Sequence, residues 1–187
     1  DIPSGISSTN ARIKVWDTNN STFKDSSDLT FTISNIGITA PTLNSHILAG
    51  NNTDITWNSS NMGLIGISYS SDNGGTWNVI ANNVNSAVNH YNWSVPSNAV
   101  TNQALIRLQS LNDPSIFITS SLFTISSIEV VAPNGAEIWQ AGSTHNVTWN
   151  SQFVNNVNLK YSLNNGTTWN SIVDNIPSIP ASYSWTL

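Results

Sequence analysis

Apolar and polar positions alternate along most of this chain with a period of two. In Thr53-Asp54-Ile55-Thr56-Trp57-Asn58, Ile55 and Trp57 share one face. Ile65, Ile67 and Tyr69 alternate in the next run, and Val157, Leu159 and Tyr161 echo them. Ala104, Ile106 and Leu108 alternate again, with Arg107 on the opposite side. Alternation of β-branched and aromatic residues is the mark of a half-buried strand. No stretch keeps apolar residues at i, i+3 and i+4 over a helical length. Asn73-Gly74 and Asn165-Gly166 predict tight hairpins, because both residue types tolerate positive φ. Short strands separated by such turns predict an all-β sandwich.

The pattern also repeats. Pro41–Val95 aligns without a gap on Pro133–Leu187 at an offset of 92. Trp57, Trp77 and Trp93 fall on Trp149, Trp169 and Trp185, and Tyr69 and Tyr91 fall on Tyr161 and Tyr183. Phe31-Thr32-Ile33-Ser34 matches Phe123-Thr124-Ile125-Ser126 at the same offset, and Ala11–Val15 resembles Ala104–Leu108 at 93. A fixed period signals a small unit used in tandem. The expected organisation is the last strands of a preceding repeat in residues 1–36, a complete repeat in 37–127, and the first strands of a following repeat in 128–187. Short linkers are expected near Ile36–Ile38 and Ser127–Glu129.

Composition narrows the function. Of 187 residues, only 8% are charged and five are basic, with a net charge of −5. Five dispersed cations make neither a nucleic-acid footprint nor a polybasic membrane patch. No cysteine is present, so disulfides and thiolate metal sites are excluded. No apolar run reaches the ~18 residues of a membrane span. A surface built from Asn, Ser and Thr suits a secreted or bacterial cell-surface protein.

Ser70-Ser71-Asp72-Asn73-Gly74-Gly75-Thr76-Trp77 fits S-x-D-x-G-x-T-W, and Ser162, Asn164, Gly166, Thr168 and Trp169 repeat it with Asn for Asp. The motif resembles the Asp-box hairpin of sialidases and of many non-enzymatic β proteins. Its chemistry is that of a turn: the Asx side chain caps backbone N–H groups, Gly takes positive φ, and Trp folds back. Asn caps as Asp does but cannot act as a general acid, which favours a structural role. A sialidase also needs, by its resemblance, three arginines, and this chain has Arg12 and Arg107 alone.

A broader resemblance runs through Ile55-Thr56-Trp57-Asn58, Tyr69-Ser70, Thr76-Trp77, Tyr91-Asn92-Trp93-Ser94-Val95-Pro96 and Ile106-Arg107-Leu108. These runs are similar to an Ig-like repeat of large bacterial surface proteins. They also resemble the domain of Ser-Thr-rich anchored membrane proteins and of yeast cell-wall glucan-synthesis proteins. The resemblance implies an Ig-like or fibronectin-III-like β-sandwich in tandem, serving as an extracellular accessory or spacer module without an active site.

Trp57, Trp93, Trp149 and Trp185 are expected in cores. Trp16 and Trp139 have no aromatic counterpart, since Gln109 and Ile47 take the aligned places, so they are the candidates for sugar contact. His46, His90 and His145 have no metal-ligand spacing. Asp25, Asp28 and Asp113 are too sparse for a calcium cage. No cofactor and no catalytic residue is expected. The reading is a structural stalk, surface adhesin or filament subunit, contacting neighbouring repeats or identical subunits end to end. The rival is a carbohydrate-binding module of a secreted glycosidase. The incomplete repeats at either side have their missing strands in a longer polypeptide, the favoured reading, or receive them from the next copy by strand complementation.

Overall fold

The computed structural model describes Pro3 and residues 5–187. Apart from one 3-10 turn at Ser86–Val88, every regular element in it is a strand. The chain opens with a long hairpin: β1 (Ser8–Ala11) runs antiparallel to β4 (Phe31–Ile33), and β2 (Lys14–Trp16) antiparallel to β3 (Lys24–Ser26).

Next come β5 (Asn35–Ala40), β6 (His46–Leu48), β7 (Asn52–Ser60), β8 (Leu64–Ser70), β9 (Asn78–Asn85) and β10 (His90–Ser94). They are followed by β11 (Thr101–Ser110), β12 (Phe117–Thr119) and β13 (Phe123–Ala132). Strands β10, β7 and β5 form one sheet. The other orders β9, β8 and β11, with β12 and the start of β13 together along the far side of β11. Strand β6 joins it as a parallel edge on β13, pairing Ile47 with Ile125. The two sheets enclose one core. Ile55, Trp57 and Trp93 come from the first, and Ile65, Ile67, Ile106, Leu108, Phe123 and Ile125 from the second. This is an Ig-like, fibronectin-III-like sandwich.

The alternation explains the arrangement. Inward residues of β7 are Ile55 and Trp57, and those of β11 are Ala104, Ile106 and Leu108, all fully or almost fully buried. Full burial of one large apolar side chain contributes about 1.5–3 kcal/mol. The Trp57 indole N–H also donates to the Ser86 carbonyl at 2.7 Å, so its polar edge is not stranded.

Strands β14 (Thr144–Gln152), β15 (Asn156–Tyr161), β16 (Asn170–Pro177) and β17 (Ser182–Thr186) complete the chain. Three have the bounds of β7, β9 and β10 shifted by 92, and β15 ends one residue short of the shifted β8. Strand β14 pairs with β17 on one side and with residues 127–132 of β13 on the other. The register of β13 on β14 (Ser127 with Gln152) is that of β5 on β7 (Asn35 with Ser60).

The connections at Ile36–Ile38 and Ser127–Glu129 differ from expectation. Neither is a linker: the first lies within β5 and the second within β13. Strand β13 belongs to the β8–β11 sheet up to Ser126 and to the β14–β17 sheet from Ser127 onward. The backbone stays extended while its hydrogen-bonding partners change, so no loop is required. Ser126 Oγ fixes the junction by donating to the Phe153 carbonyl at 3.0 Å. Ser34 Oγ makes the same bond to the Asn61 carbonyl, at 2.8 Å, where the opening hairpin meets β5.

Candidate functional site

Each motif turn is built on one serine and one Asx residue. Ser70 Oγ donates to Asp72 Oδ1 at 2.7 Å and accepts from the N–H groups of Asp72 and Gly74. Asp72 Oδ1 accepts from the Thr76 N–H at 2.8 Å, and Oδ2 from the Thr76 hydroxyl at 2.7 Å. These donors, the Thr76 N–H first and then the Ser70 and Thr76 hydroxyls, lower the Asp72 pKa from 3.8 to about 2. At neutral pH a carboxylate held this way is ionised, and it serves the turn as a hydrogen-bond acceptor.

The second turn makes the same frame with neutral groups. Ser162 Oγ donates to Asn164 Oδ1 at 2.9 Å, and Oδ1 accepts from the Thr168 N–H at 2.9 Å. The change of residue shows at one bond. Asn164 Nδ2 donates to Thr168 Oγ1, whereas the Thr76 hydroxyl donates to Asp72. Asn73 and Asn165 take φ of 56° and 55°, and Gly74 and Gly166 follow at 89° and 83°. Trp77 and Trp169 fold back over these glycines.

The two tryptophans then diverge. The Arg107 guanidinium lies 4.3 Å from the Trp77 ring, in cation–π range. Among the described residues no cation covers Trp169, which is 60% exposed. The same contrast runs through the rest of β14–β17. Trp93 is buried but Trp185 only half-buried; Ile67 is buried but Leu159 only half-buried. Trp149 is still buried, its indole N–H donating to the Ser178 carbonyl at 3.1 Å. Between the β13–β14–β17 sheet and the β15–β16 pair lies an open cleft of about 810 Å³, lined by Val147, Leu159, Tyr161, Trp169, Ile172 and Trp185.

Among the described residues, none pairs with β15 on the side where β8 carries β11. Residues 138–140 align with β6 but form no strand, and Ile138 is 97% exposed. Strand β6 forms where β13 is there to pair with it, and among the described residues 138–140 have no such partner.

The opening hairpin shows the reverse. Its pairings, Ser8 with Ile33, Ala11 with Phe31 and Lys14 with Ser26, are those of Thr101 with Ile125, Ala104 with Phe123 and Arg107 with Thr119. The counterparts of Ile106, Leu108 and Phe123 are here exposed, and that of Ile125, Ile33, is half-buried. Ile13 and Val15 are 60% and 68% exposed, where Ile106 and Leu108 are fully buried.

Trp16 is exposed, with Lys14 Nζ 5.7 Å from its ring. Trp139 is placed otherwise than expected. It is half-buried, stacked flat on His145 at 4.4 Å and edge-on to Trp185 at 6.3 Å, because it fills space at the mouth of the cleft. One of its faces is therefore already covered. His46 and His145 lie within hydrogen-bond reach of Ser126 and Ser143, and His90 of the Val88 carbonyl. Asp113 caps Ser115, and those bonds lower its pKa. Among the described residues, no three His, Asp or Glu side chains gather to hold a metal ion. No described helix is long and apolar enough to cross a membrane.

No protein-family model and no curated protein matches the chain. Among solved structures it is similar to the fibronectin(III)-like modules of Clostridium thermocellum CbhA, at 14% identity and a TM-score of 0.31. That match covers 81% of this chain and 78% of the other. It is also similar to Dpr11 IG1 bound to DIP-gamma IG+IG2, at 7% identity and a TM-score of 0.32, over 81% of this chain and 83% of that one.

Proposed function

We propose that the chain is a non-enzymatic structural module of an extended extracellular array, a stalk or fibre displayed at a bacterial cell surface. Its repeating unit is the sandwich of residues 37–127. Residues 1–36 are the closing strands of a unit before it, and residues 128–187 the opening strands of a unit after it. The observation that supports this reading is strand β13, which pairs with β11 in its first half and with β14 from Ser127 onward, with no loop between. A jointed linker would let neighbouring units swing. A continuous strand, fixed by the Ser126 bond to Phe153, holds them at one angle. The same bond recurs between Ser34 and Asn61, at the equivalent place one repeat earlier. Units stacked at a constant angle give a rod.

Nothing in the turns supports catalysis. The sugar-binding alternative rests on Trp16, the exposed member of the candidate pair, while Trp139 spends a face on His145. Immunogold labelling of intact, unpermeabilised cells tests the function directly. Decoration of threads leading away from the envelope is the expected result; label confined to the cell interior would contradict it.

A further inference from the structure

We propose that the open cleft of one molecule takes the opening hairpin β1–β4 of a second copy, so that copies polymerise head to tail by strand complementation. This rests on the array reading above and names its partner. The occupant is identified by register. Strand β11 lies on β8 with Ile106 beside Tyr69, Arg107 beside Ser68 and Leu108 beside Ile67. Carried over to β15, that register sets Ile13 beside Tyr161, Lys14 beside Lys160 and Val15 beside Leu159. Ile13 and Val15 leave water and meet the exposed side of the cleft. Strand β4 then runs beside residues 138–140, as β13 runs beside β6, and supplies the partner they lack.

Charge fits at the position that matters most. Trp77 is lidded by Arg107, and among the described residues no cation lies above Trp169. Lys14 is the residue of the hairpin at the Arg107 position, so the second copy brings a cation to the bare indole. The junction also comes out right. A docked hairpin leads through Ser34 into β5, and its bond to Asn61 is the one Ser126 makes to Phe153. Every unit boundary along the polymer is then equivalent. The assembly is heterologous and does not close, so it grows as a fibre. One contact opposes it: Lys14 faces Lys160, and like charges directly across a strand pair repel.

Purified 187-residue chain, unfolded and refolded across a concentration series, gives the test by mass photometry and non-reducing gels. The sequence has no cysteine, so introduced pairs report cleanly. K14C combined with K160C is expected to trap a ladder of covalent multimers. K24C with K160C, one strand further from β15, is expected to trap none. V15D alters a residue that is exposed in the free hairpin, so the monomer still folds, and it weakens association by about a hundredfold or more. K160E turns the repulsion into attraction and strengthens association. Monomers at every concentration, or ladders of equal strength from both cysteine pairs, would overturn the proposal. Either result leaves the rigid junction of β13 standing, because that junction lies within one chain.

Discussion

Single residues decide where this protein is firm and where it is strained. Asp72 holds its turn as a carboxylate, and its pKa falls from 3.8 to about 2 on folding. A group whose pKa is lowered by folding stabilises fully above its unfolded value, and that stability is lost as the pH drops through 3.8 toward 2. Asp113 and Glu137 shift the same way, through bonds from Ser115 and from the backbone around Asn134. Urea unfolding of the wild type should therefore weaken between pH 5 and pH 2. D72N should flatten that slope while keeping the turn, as Asn164 already keeps its own. Phe153 stands at the other extreme. It has φ of 56°, where a bulky side chain costs about 1–2 kcal/mol, and its counterpart Asn61 has φ of 57°. Asn61 Nδ2 also donates to the Ile33 carbonyl at 3.2 Å. F153N should relieve the strain and gain that bond to Ile125, raising stability by about 1 kcal/mol in calorimetry. Trp57 is almost fully buried, and W57A should cost about 3–5 kcal/mol, a large share of what a small sandwich has to lose.

At the scale of strands and turns, most of the fold is legible in the sequence. The alternation at Ile55 and Trp57, and at Ala104, Ile106 and Leu108, marks β7 and β11. The Asn-Gly pairs place the tight turns. Strand β6 is harder to read, because three residues are too few to show a period and the strand forms only where β13 gives it an edge. The expectation of linkers at Ile36–Ile38 and Ser127–Glu129 failed for a related reason. Alternation reports that a strand is half-buried, but not which sheet it belongs to, and β13 changes sheets midway. Hydrogen exchange measures this element directly. Amides along β13 should be protected on both sides of Ser126–Ser127, without a fast-exchanging break between them.

Across the whole molecule, the sequence repeat foretold equivalent strands but not equivalent surroundings. Trp77 and Trp169 occupy the same motif, yet the lid on Trp77 comes from Arg107, thirty residues further along. The exposure of Trp169 was thus invisible in the motif itself. The stacking of His145 on Trp139 was equally invisible, because alignment to Ile47 says nothing of it. On the array reading proposed above, the motifs specify a bead, and the strand shared between sheets holds successive beads at one angle. The most direct test of that angle is a distance between equivalent places on successive units. Asn78 and Asn170 are exposed and stand 92 positions apart. Spin labels on N78C/N170C, measured by double electron–electron resonance, should give a single narrow distance distribution, broadened when two glycines are inserted after Ser126. A broad distribution in the uninserted chain would contradict the account, because it would mean that the two units swing freely about β13.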